Sequence, residues 1–588
     1  MSQTQKSSPD QPSRLAHYIP AIDGLRAIAV VAVVAYHLGF DWIPGGFLGV
    51  DLFFVISGYV ITRLLLDSIE RSGGLDLKKF YFARLRRLMP ALFFMLISTA
   101  IAVGIWAPDT IKRFLTDAPY AFTGTMNWWL VAHHQDYFES IGRPPLLQHT
   151  WSLAVELQFY LIWPLILLLI LRFFGKKRVS LVALLIAAFS GITLLWVSFS
   201  LDAASASKVS HVYFGTDTHS IGLFLGAALA VSWVPQNFKS EVSRRAQDFI
   251  DGVGVFGFLG ILSAFLLIDE SDPTLYKIAF PIAGLCGAAI VTSVVHPASR
   301  FAPLLQNKVL LWIGERSYAI YLWHWVIFQV TRPEVDLAGR SWALLALRIL
   351  IVLALADISL RFIELPVRRG LVAYWIKGLK YRTAEQREKE TRRVIIASIV
   401  IALLISTIGV RAISIGNQNR LEMIASFETS TAISASSPEG LWVTGDSVIL
   451  GIRTALSANH PLGLVNARVG RQASELLEEI KRDLESAPSG ALIFNLGNNG
   501  ALTDDQVAAI FELIEGRDSV IVVNTAVPRP WKEANNALIE QYVSRSSRLH
   551  LVDWAAISDG HPEYFAPDGV HLVPTGVAVY VAAIEKYL

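Results

Sequence analysis

Long apolar runs alternate with short polar connections through the first 414 residues of the chain. A transmembrane α-helix needs about 20 consecutive, mostly apolar residues, and runs of this length recur along the segment. The pattern predicts a polytopic all-α membrane domain over residues 19–370, with ten core transmembrane helices, and one further linking helix within residues 371–414. The predicted spans lie near residues 20–39, 48–66, 90–107, 151–174, 179–199, 215–234, 249–268, 276–295, 310–330, 341–363 and 394–414.

Basic residues cluster in three of the connections, at residues 78–87, 176–178 and 368–393. Cytoplasmic loops of membrane proteins carry such an excess of Lys and Arg. We therefore expect the polar N-terminal tail, residues 1–18, to be cytoplasmic. Eleven crossings are an odd number, so everything after residue 414 is then expected on the extracytoplasmic side.

Residues 113–131 are apolar enough to suggest one more span. A crossing there would place residues 176–178 outside and invert every later loop, against the charge pattern. We therefore interpret this segment as a re-entrant or interfacial helix, with Trp128 and Trp129 at the level of the lipid headgroups.

The composition changes after residue 414. Residues 415–439 are rich in Ser, Thr, Asn and Glu, which is typical of a linker. From 440 to 588, short β-rich runs alternate with amphipathic helical stretches, which favours a parallel α/β sheet with crossover helices. The β-rich runs are 441–445, 491–497, 519–524 and 549–553.

The composition of the whole chain agrees with a membrane protein that also has one soluble domain. Of 588 residues, 53% are hydrophobic and only 17% are charged. Cys286 is the single cysteine, so neither an intrachain disulfide nor a thiolate metal site can form, and we predict no metal. The net charge of +2 gives no indication of a nucleic-acid partner.

Several chemically active residue types lie in the predicted soluble domain. Ser447 follows a predicted strand and precedes a helix, while Asp568 and His571 lie three residues apart near the C-terminus. His571 could act as a general base for Ser447, with Asp568 orienting it. Asn499 could donate to an oxyanion through its side chain and Gly470 through its backbone. Each residue alone also has an ordinary interpretation, as a helix cap, turn residue, surface histidine or loop former.

Four blocks over residues 440–588 together resemble the SGNH hydrolase family: the GDS ending at Ser447, Gly470, the GxN ending at Asn499, and the DxxH from Asp568 to His571. The resemblance implies that Ser447 is the nucleophile, His571 the base and Asp568 its partner. It also implies an oxyanion hole formed by Gly470, Asn499 and the amide of Ser447.

The first predicted span contains two ionisable residues, Arg26 and His37. Ionisable groups are costly inside a membrane and usually line a functional interior. The two residues are eleven positions apart, about three helical turns, so they share one face at a separation of about 16 Å. They could line one path at two depths, and histidine is suited to acid–base chemistry near neutral pH. A histidine that only packs between helices is the alternative.

Seven blocks in the predicted membrane domain resemble the acyltransferase-3 family of integral membrane acyltransferases, over about residues 18–370. The blocks are IDGLRAIAVVAVVAYH, FFVISGYVIT, YFARLRRLMP, HTWSLAVELQFYLIWP, DTHSIGLFLGAALA, SYAIYLWHW and FIELP. With its C-terminal domain the chain resembles the fused subgroup, which O-acetylates lipopolysaccharide O-antigen, peptidoglycan or related envelope glycans. The resemblance implies a multi-pass protein of the bacterial cytoplasmic (inner) membrane and a cytoplasmic acyl-CoA donor, usually acetyl-CoA, with no permanently bound cofactor.

The resemblance also assigns roles to membrane residues. Arg26 and His37 match the family's paired arginine and histidine, and His37 would be the acid–base residue of the membrane step. The basic motif could bind the phosphates of coenzyme A, although the positive-inside rule explains its charge as well. Ala83 and Leu157 depart from the family pattern, where an arginine and a glutamate are common. The remaining matched positions are Arg84, Arg86 and Arg87 in the basic motif, His149, Trp151 and Glu156 in the HTWS block, and Glu364 in FIELP.

These observations predict an O-acyltransferase that moves an acyl group from cytoplasmic acyl-CoA to hydroxyls of an extracytoplasmic envelope polysaccharide or glycolipid. The acyl group would pass through the membrane domain to Ser447, to a small carrier, or directly to the acceptor. A second hypothesis makes the outer domain a glycan acetylesterase beside an independent membrane transferase. A third is an envelope-glycan transporter with a binding domain, although the chain lacks the internal repeats common in transporters.

Overall fold

The computed structural model of the chain describes residues 18–588 except 41, 108–109, 134–143, 200–205, 269–277, 334–336, 338–340, 379–380, 428–438, 469–470, 530 and 567–568. Gly470 and Asp568, two of the predicted site residues, and much of the predicted linker therefore lie outside the described residues.

The N-terminal region is helical, as the apolar runs predict. Its α-helices are α1 (Pro20–His37), α2 (Gly49–Ser72), α3 (Leu77–Trp106), α4 (Ile111–Thr123), α5 (Met126–Ala132), α6 (Trp151–Phe173), α7 (Lys177–Phe199), α8 (Ala206–Phe214), α9 (Ile221–Ser232), α10 (Arg244–Leu267), α11 (Phe280–Val294), α12 (Lys308–Val330), α13 (Trp342–Ile358), α14 (Leu365–Arg368), α15 (Leu371–Gly378) and α16 (Ala384–Phe427). A π-helical turn at Ser359–Glu364 joins α13 to α14.

The helices overlap each of the predicted spans, which confirms an all-α membrane domain. Within the described ranges, seven helical segments are long and apolar enough to cross a bilayer, and they contain α1, α2, α3, α6, α7, α10 and α13. The helices around residues 221–237 and 280–294 are apolar but shorter. The total of eleven crossings stays a prediction.

Helices α1 and α12 pack backbone against backbone. A Cβ atom added to Gly314 on α12 would lie 1.9 Å from the carbonyl oxygen of Asp23 on α1. Small residues permit such close approach between membrane helices. Farther along the same two helices, His37 contacts His324, so α1 and α12 run in the same direction.

The segment 113–131 is not one continuous helix. Helix α4 ends at Gly124, whose φ of 73° is left-handed and favours glycine, and the seven-residue α5 follows. At 1.5 Å per residue neither helix can span the hydrocarbon core, which is about 30 Å thick. Trp128 and Trp129 lie on α5, and their position at the headgroups stays a prediction.

Helix α16 extends farther than the sequence pattern indicates. It begins in the basic segment at Ala384 and continues to Phe427, past the predicted span end at 414 and into the predicted linker. The first part of the predicted linker is therefore helical, and the linker boundaries stay a prediction. Residues 418–425 contain Gln, Arg, Leu, Glu, Met, Ile and Ala, most of which favour helix, and this explains the continuation.

The C-terminal domain is the predicted parallel α/β fold. A five-stranded sheet has the order β2-β1-β3-β4-β5, and every neighbouring pair is parallel. The strands are β1 (Leu441–Gly445), β2 (Leu462–Ala467), β3 (Leu492–Asn495), β4 (Val520–Val523) and β5 (Leu549–Val552). The helices are α17 (Ser447–Asn459), α18 (Ala473–Asp483), α19 (Asp504–Ile514), α20 (Lys532–Val543), α21 (Trp554–Ile557) and α22 (Pro574–Glu585).

Helices cover both faces of this sheet. Val443 and Ile493 point into one core, with residues of α17 and α22. Trp442 and Leu492, their neighbours along the strands, point into the other core, with residues of α18, α19 and α20. Alternation along each strand thus fills two cores, and the carboxyl ends of the strands carry the polar residues described next.

Candidate functional site

A serine and a histidine meet at the carboxyl end of the sheet. Ser447 is the first residue of α17, directly after β1, and its side chain is buried. Its Oγ lies 2.9 Å from Nε2 of His571. His571 comes from the segment before α22, which is held by a hydrogen bond from the Ala566 amide to the His571 carbonyl oxygen (2.7 Å). This is hydrogen-bonding distance for a nucleophile and its general base.

The turn that presents Ser447 requires glycine. Gly445 has a φ of 150°, and a Cβ atom there would lie 2.0 Å from Oδ1 of Asn495. That oxygen accepts a hydrogen bond from the backbone amide of Asp446 (3.0 Å). The turn is therefore fixed against the end of β3.

The Asp446 carboxylate is buried among amide donors. It accepts hydrogen bonds from Nδ2 of Asn495 (2.6 Å), Asn498 (2.9 Å) and Asn499 (3.2 Å), and from the backbone amide of Val448 (2.9 Å). Burial raises the pKa of Asp446 above its ordinary value, and the hydrogen bonds from Asn495 and Val448 oppose part of that rise. Asn495 and Asn498 were not predicted: Asn495 lies inside the predicted strand 491–497, and the only signal for Asn498 is the pair of asparagines that follows this strand.

Asn499 lies beside the serine turn, with Nδ2 also donating to the carbonyl oxygen of Arg471 (3.1 Å). Its amide nitrogen therefore already has two protein acceptors, Asp446 and Arg471. The oxyanion role of Asn499 stays a prediction, as do the roles of Gly470 and Asp568, which lie outside the described residues.

A second group of polar side chains lies inside the membrane domain, where three histidines lie close to one another. Nδ1 of His37, the last residue of α1, lies 3.0 Å from Nε2 of His324 on α12. His149, in the turn before α6, has its ring centre 5.9 Å from that of His324, and its Nε2 lies 3.1 Å from the Leu322 carbonyl oxygen. Trp325 is 4.8 Å from His37 and 6.2 Å from His149 between ring centres. Sequence analysis named His37 and His149 but missed His324, although it quoted the SYAIYLWHW block that contains it.

Most of the predicted charged residues form another group, which we call the charged cluster: Arg26, Arg84, Arg87, Glu156, Glu364 and Arg368. Arg26 pairs with Asp23 (3.1 Å) and interacts electrostatically with Arg87 and Glu156. Glu364 interacts with Arg26, Arg87 and Arg368, and Arg84 interacts with Glu156 and Arg368. Arg368 was not predicted. Arg86 is exposed, unlike its two neighbours in the motif.

The cluster combines opposite charges at close range. Glu156 accepts hydrogen bonds from Ser57 and Tyr160. Nε of Arg84 is buried without a hydrogen-bond partner. A buried guanidinium donor of this kind is costly unless a ligand satisfies it.

Trp151 and the DTHS block occupy the protein interior. Trp151 is 1% exposed and packs against Tyr213 and His219, with ring centres 5.0 and 5.2 Å away. His219 and Asp51 form a buried pair, with Nε2 and Oδ1 3.1 Å apart. Sequence analysis did not select this pair.

Known proteins match this chain along most of its length. The acyltransferase-3 family, described as an acyltransferase domain, matches residues 19–361. The peptidoglycan O-acetyltransferase OatA of Listeria monocytogenes is 32% identical, over 97% of this chain and 98% of that protein. The chain belongs to the acyltransferase-3 family.

Other relatives of this acyltransferase match over similar lengths. The O-acetyltransferase OatA of Staphylococcus aureus is 33% identical, over 97% of this chain and 96% of that one. The putative peptidoglycan O-acetyltransferase YrhL of Bacillus subtilis is 31% identical, over 97% and 98%. The chain is therefore an O-acyltransferase and a membrane protein.

Two solved structures are similar to part of the acyltransferase. The C-terminal catalytic domain of Streptococcus pneumoniae OatA, with a methylsulfonyl adduct, is 22% identical with a TM-score of 0.23, over 26% of this chain and 92% of that one. A catalytic mutant of the acetylxylan esterase Axe2 from Geobacillus stearothermophilus is 15% identical with a TM-score of 0.23, over 26% and 96%.

Proposed function

We propose that the chain transfers an acetyl group from cytoplasmic acetyl-CoA, across the inner membrane, to hydroxyl groups of peptidoglycan outside the cell. The observation that carries the proposal is the match to peptidoglycan O-acetyltransferases along 97% of the chain. The contact between His37 and His324 and the contact between Ser447 and His571 support it. The basic connections support a cytoplasmic N-terminus and an extracytoplasmic C-terminal domain.

The charged cluster is suited to hold the donor. Coenzyme A carries phosphates, and guanidinium groups bind phosphate through charge-assisted hydrogen bonds. Arg84, with its unsatisfied buried Nε, and Arg87 lie in the basic motif, which we expect at the cytoplasmic face. Glu156 and Glu364 keep the cluster from being purely cationic and would orient its arginines.

His37 is suited to the membrane step. It lies on the same helix as Arg26, about three turns away, and therefore farther from the cytoplasmic face. As the acyl group leaves its donor, His37 would take a proton from the attacking hydroxyl and return it to the leaving group. The attacking hydroxyl belongs to Ser447, to a carrier or to the acceptor.

The outer site completes the transfer. Once a carrier has brought the acyl group to the outer face, the Oγ of Ser447 would attack the acyl carbonyl carbon while His571 accepts the serine proton, which then passes to the carrier as its bond to the acyl carbon breaks. A sugar hydroxyl would next attack the acyl-serine and lose its proton to His571. Collapse of that intermediate returns the proton to Ser447 and releases the O-acetylated glycan.

A labelling experiment tests this route. Full-length protein in proteoliposomes receives acetyl-CoA with a labelled acetyl group on the N-terminal face and peptidoglycan glycan strands on the other. We expect label on the glycan and, after rapid quenching, on Ser447. Label that appears only as free acetate, with none on the glycan, would instead favour an esterase outer domain.

A further inference from the structure

His324 is fully buried on α12, and both of its ring nitrogens contact specific atoms. Nδ1 lies 2.7 Å from the carbonyl oxygen of Tyr321 and 3.3 Å from that of Ile320. Nε2 lies 3.0 Å from Nδ1 of His37. These contacts determine where the protons of the two rings lie.

Carbonyl oxygens only accept hydrogen bonds, so Nδ1 of His324 must carry its proton. A neutral imidazole has one N–H, which leaves a lone pair on Nε2 of His324. The contact between the rings then needs a proton from His37, and that proton is on Nδ1 of His37. The lone pair of neutral His37 consequently lies on Nε2.

A second contact agrees with the same proton position. The ring of His37 also forms a hydrogen bond with the carbonyl oxygen of Val33, four residues earlier on α1. In this chain, His133 and His324 both reach the carbonyl four residues earlier through Nδ1. A contact of His37 with the Val33 carbonyl through Nδ1 would follow the same pattern, and it agrees with a proton on that nitrogen.

We propose that His324 is a positioning residue that fixes His37 in the Nδ1–H tautomer and so directs its basic Nε2 at the acyl-transfer reaction. The inference rests on the proposed function of His37. When Nε2 of His37 takes the proton of the attacking hydroxyl, the Nδ1–H stays hydrogen-bonded to His324. The proton on Nε2 then passes to the leaving group as its bond to the acyl carbon breaks, and His324 remains neutral throughout.

Substitution of His324 by glutamine or by asparagine distinguishes a hydrogen-bonding role from a packing role, because the two side chains differ in length. The amide of glutamine can place an oxygen near the position of the histidine Nε2, whereas the amide of asparagine reaches only to the position of Nδ1. His324→Gln therefore keeps an acceptor for His37, and His324→Asn removes it while staying polar. His324→Leu removes it with an apolar side chain, and Ile320→Val, one turn earlier on α12, is the control for small packing changes.

Full-length variants in proteoliposomes are assayed with acetyl-CoA and peptidoglycan glycan strands. We expect His324→Asn and His324→Leu to lower kcat about 100-fold or more, the loss typical of impaired acid–base catalysis. KM for acetyl-CoA should stay within about twofold, because a transition-state contact is lost rather than donor binding. His324→Gln should recover kcat to within about tenfold of wild type, and Ile320→Val should behave as wild type.

The outcomes separate the two proposals. Inactive wild-type protein would overturn the proposed function itself. Active wild type with equal kcat for the Gln and Asn variants, whether both high or both low, would overturn the tautomer role of His324. If the Leu variant fails to fold, the Gln–Asn pair still decides, because the two side chains differ by one methylene.

Discussion

The two histidine sites of this acyltransferase hold their imidazoles in different ways. In the outer domain Nε2 of His571 faces the Ser447 hydroxyl at 2.9 Å, whereas in the membrane domain Nδ1 of His37 faces a second histidine at 3.0 Å. Another membrane histidine, His219, instead has a buried carboxylate partner, with Nε2 3.1 Å from Oδ1 of Asp51. A neutral imidazole such as that of His324 can accept a hydrogen bond through its lone pair and adds no charge. The two imidazoles therefore use different ring nitrogens for these contacts, Nε2 towards a hydroxyl in the outer domain and Nδ1 towards a second imidazole in the membrane domain.

Removing the nucleophile of the outer site should have the largest effect on glycan acetylation. Ser447→Ala should lower glycan acetylation by about 10³-fold or more, since a nucleophile and its base act as one unit. Ser457→Ala, an exposed serine on the same helix α17, is the control and should keep full activity. Wild-type rates in Ser447→Ala would mean that the membrane domain hands the acyl group directly to the acceptor.

Asp446, which accepts the hydrogen bonds around the serine turn, should stabilise the outer domain. Asp446→Ala leaves the Asn495, Asn498 and Asn499 amides without their shared acceptor. We expect the free energy of unfolding of the outer domain to fall by about 2–3 kcal/mol. Tryptophan fluorescence during unfolding in denaturant measures this free energy. Asp559→Ala, at an exposed position, should change it by less than about 0.5 kcal/mol. Equal stability of the two variants would contradict the structural role of Asp446.

Two arginines of the basic motif should differ in their effect on donor binding, because only Arg84 belongs to the charged cluster. Arg84→Gln should raise KM for acetyl-CoA about 10-fold or more, since a charge-assisted hydrogen bond to phosphate is worth about 1.5–3 kcal/mol. Arg86→Gln should change KM less than about twofold, because Arg86 is exposed. Equal KM values for the two variants would mean that the basic motif sets the membrane topology and does not bind the donor.

The close packing of α1 on α12 should control the membrane site. Gly314→Ala would bring its Cβ to 1.9 Å from the Asp23 carbonyl oxygen, so the helices must move apart and the His37–His324 contact lengthens. We expect kcat to fall about 3- to 10-fold, as misplacement of a catalytic group costs rate. Gly252→Ala on α10 has open space at the added Cβ and should be neutral. A neutral Gly314→Ala would separate helix packing from catalysis.

The outer site was largely predictable because its signals are local. A strand, a GDS turn and a helix start follow one another within residues 441–459, and the structure places Ser447 as that order requires. His571 was predicted from its block and contacts Ser447. The Asn498 and Asn495 contacts with Asp446 were not predictable, since nothing in the spacing of β1 and β3 indicates their register.

The membrane site was predictable only in part. Apolar runs located the helices, and Arg26 and His37 were selected as ionisable residues in a span. The partner of His37 lies 287 positions away on α12, and pairing of helices leaves no periodic signal in a sequence that is apolar on every face. Arg368 was missed for the same reason, because its role depends on contact with residues of other helices.

Mass spectrometry of peptidoglycan from cells that express wild type, His37→Ala or Ser447→Ala tests most directly whether both sites serve one acyl route. The account predicts glycan carrying the mass of one acetyl substituent in wild type and its loss in both variants, with each protein present in the membrane at the wild-type level. Acetylation that persists in Ser447→Ala while it is lost in His37→Ala would contradict a route through both sites.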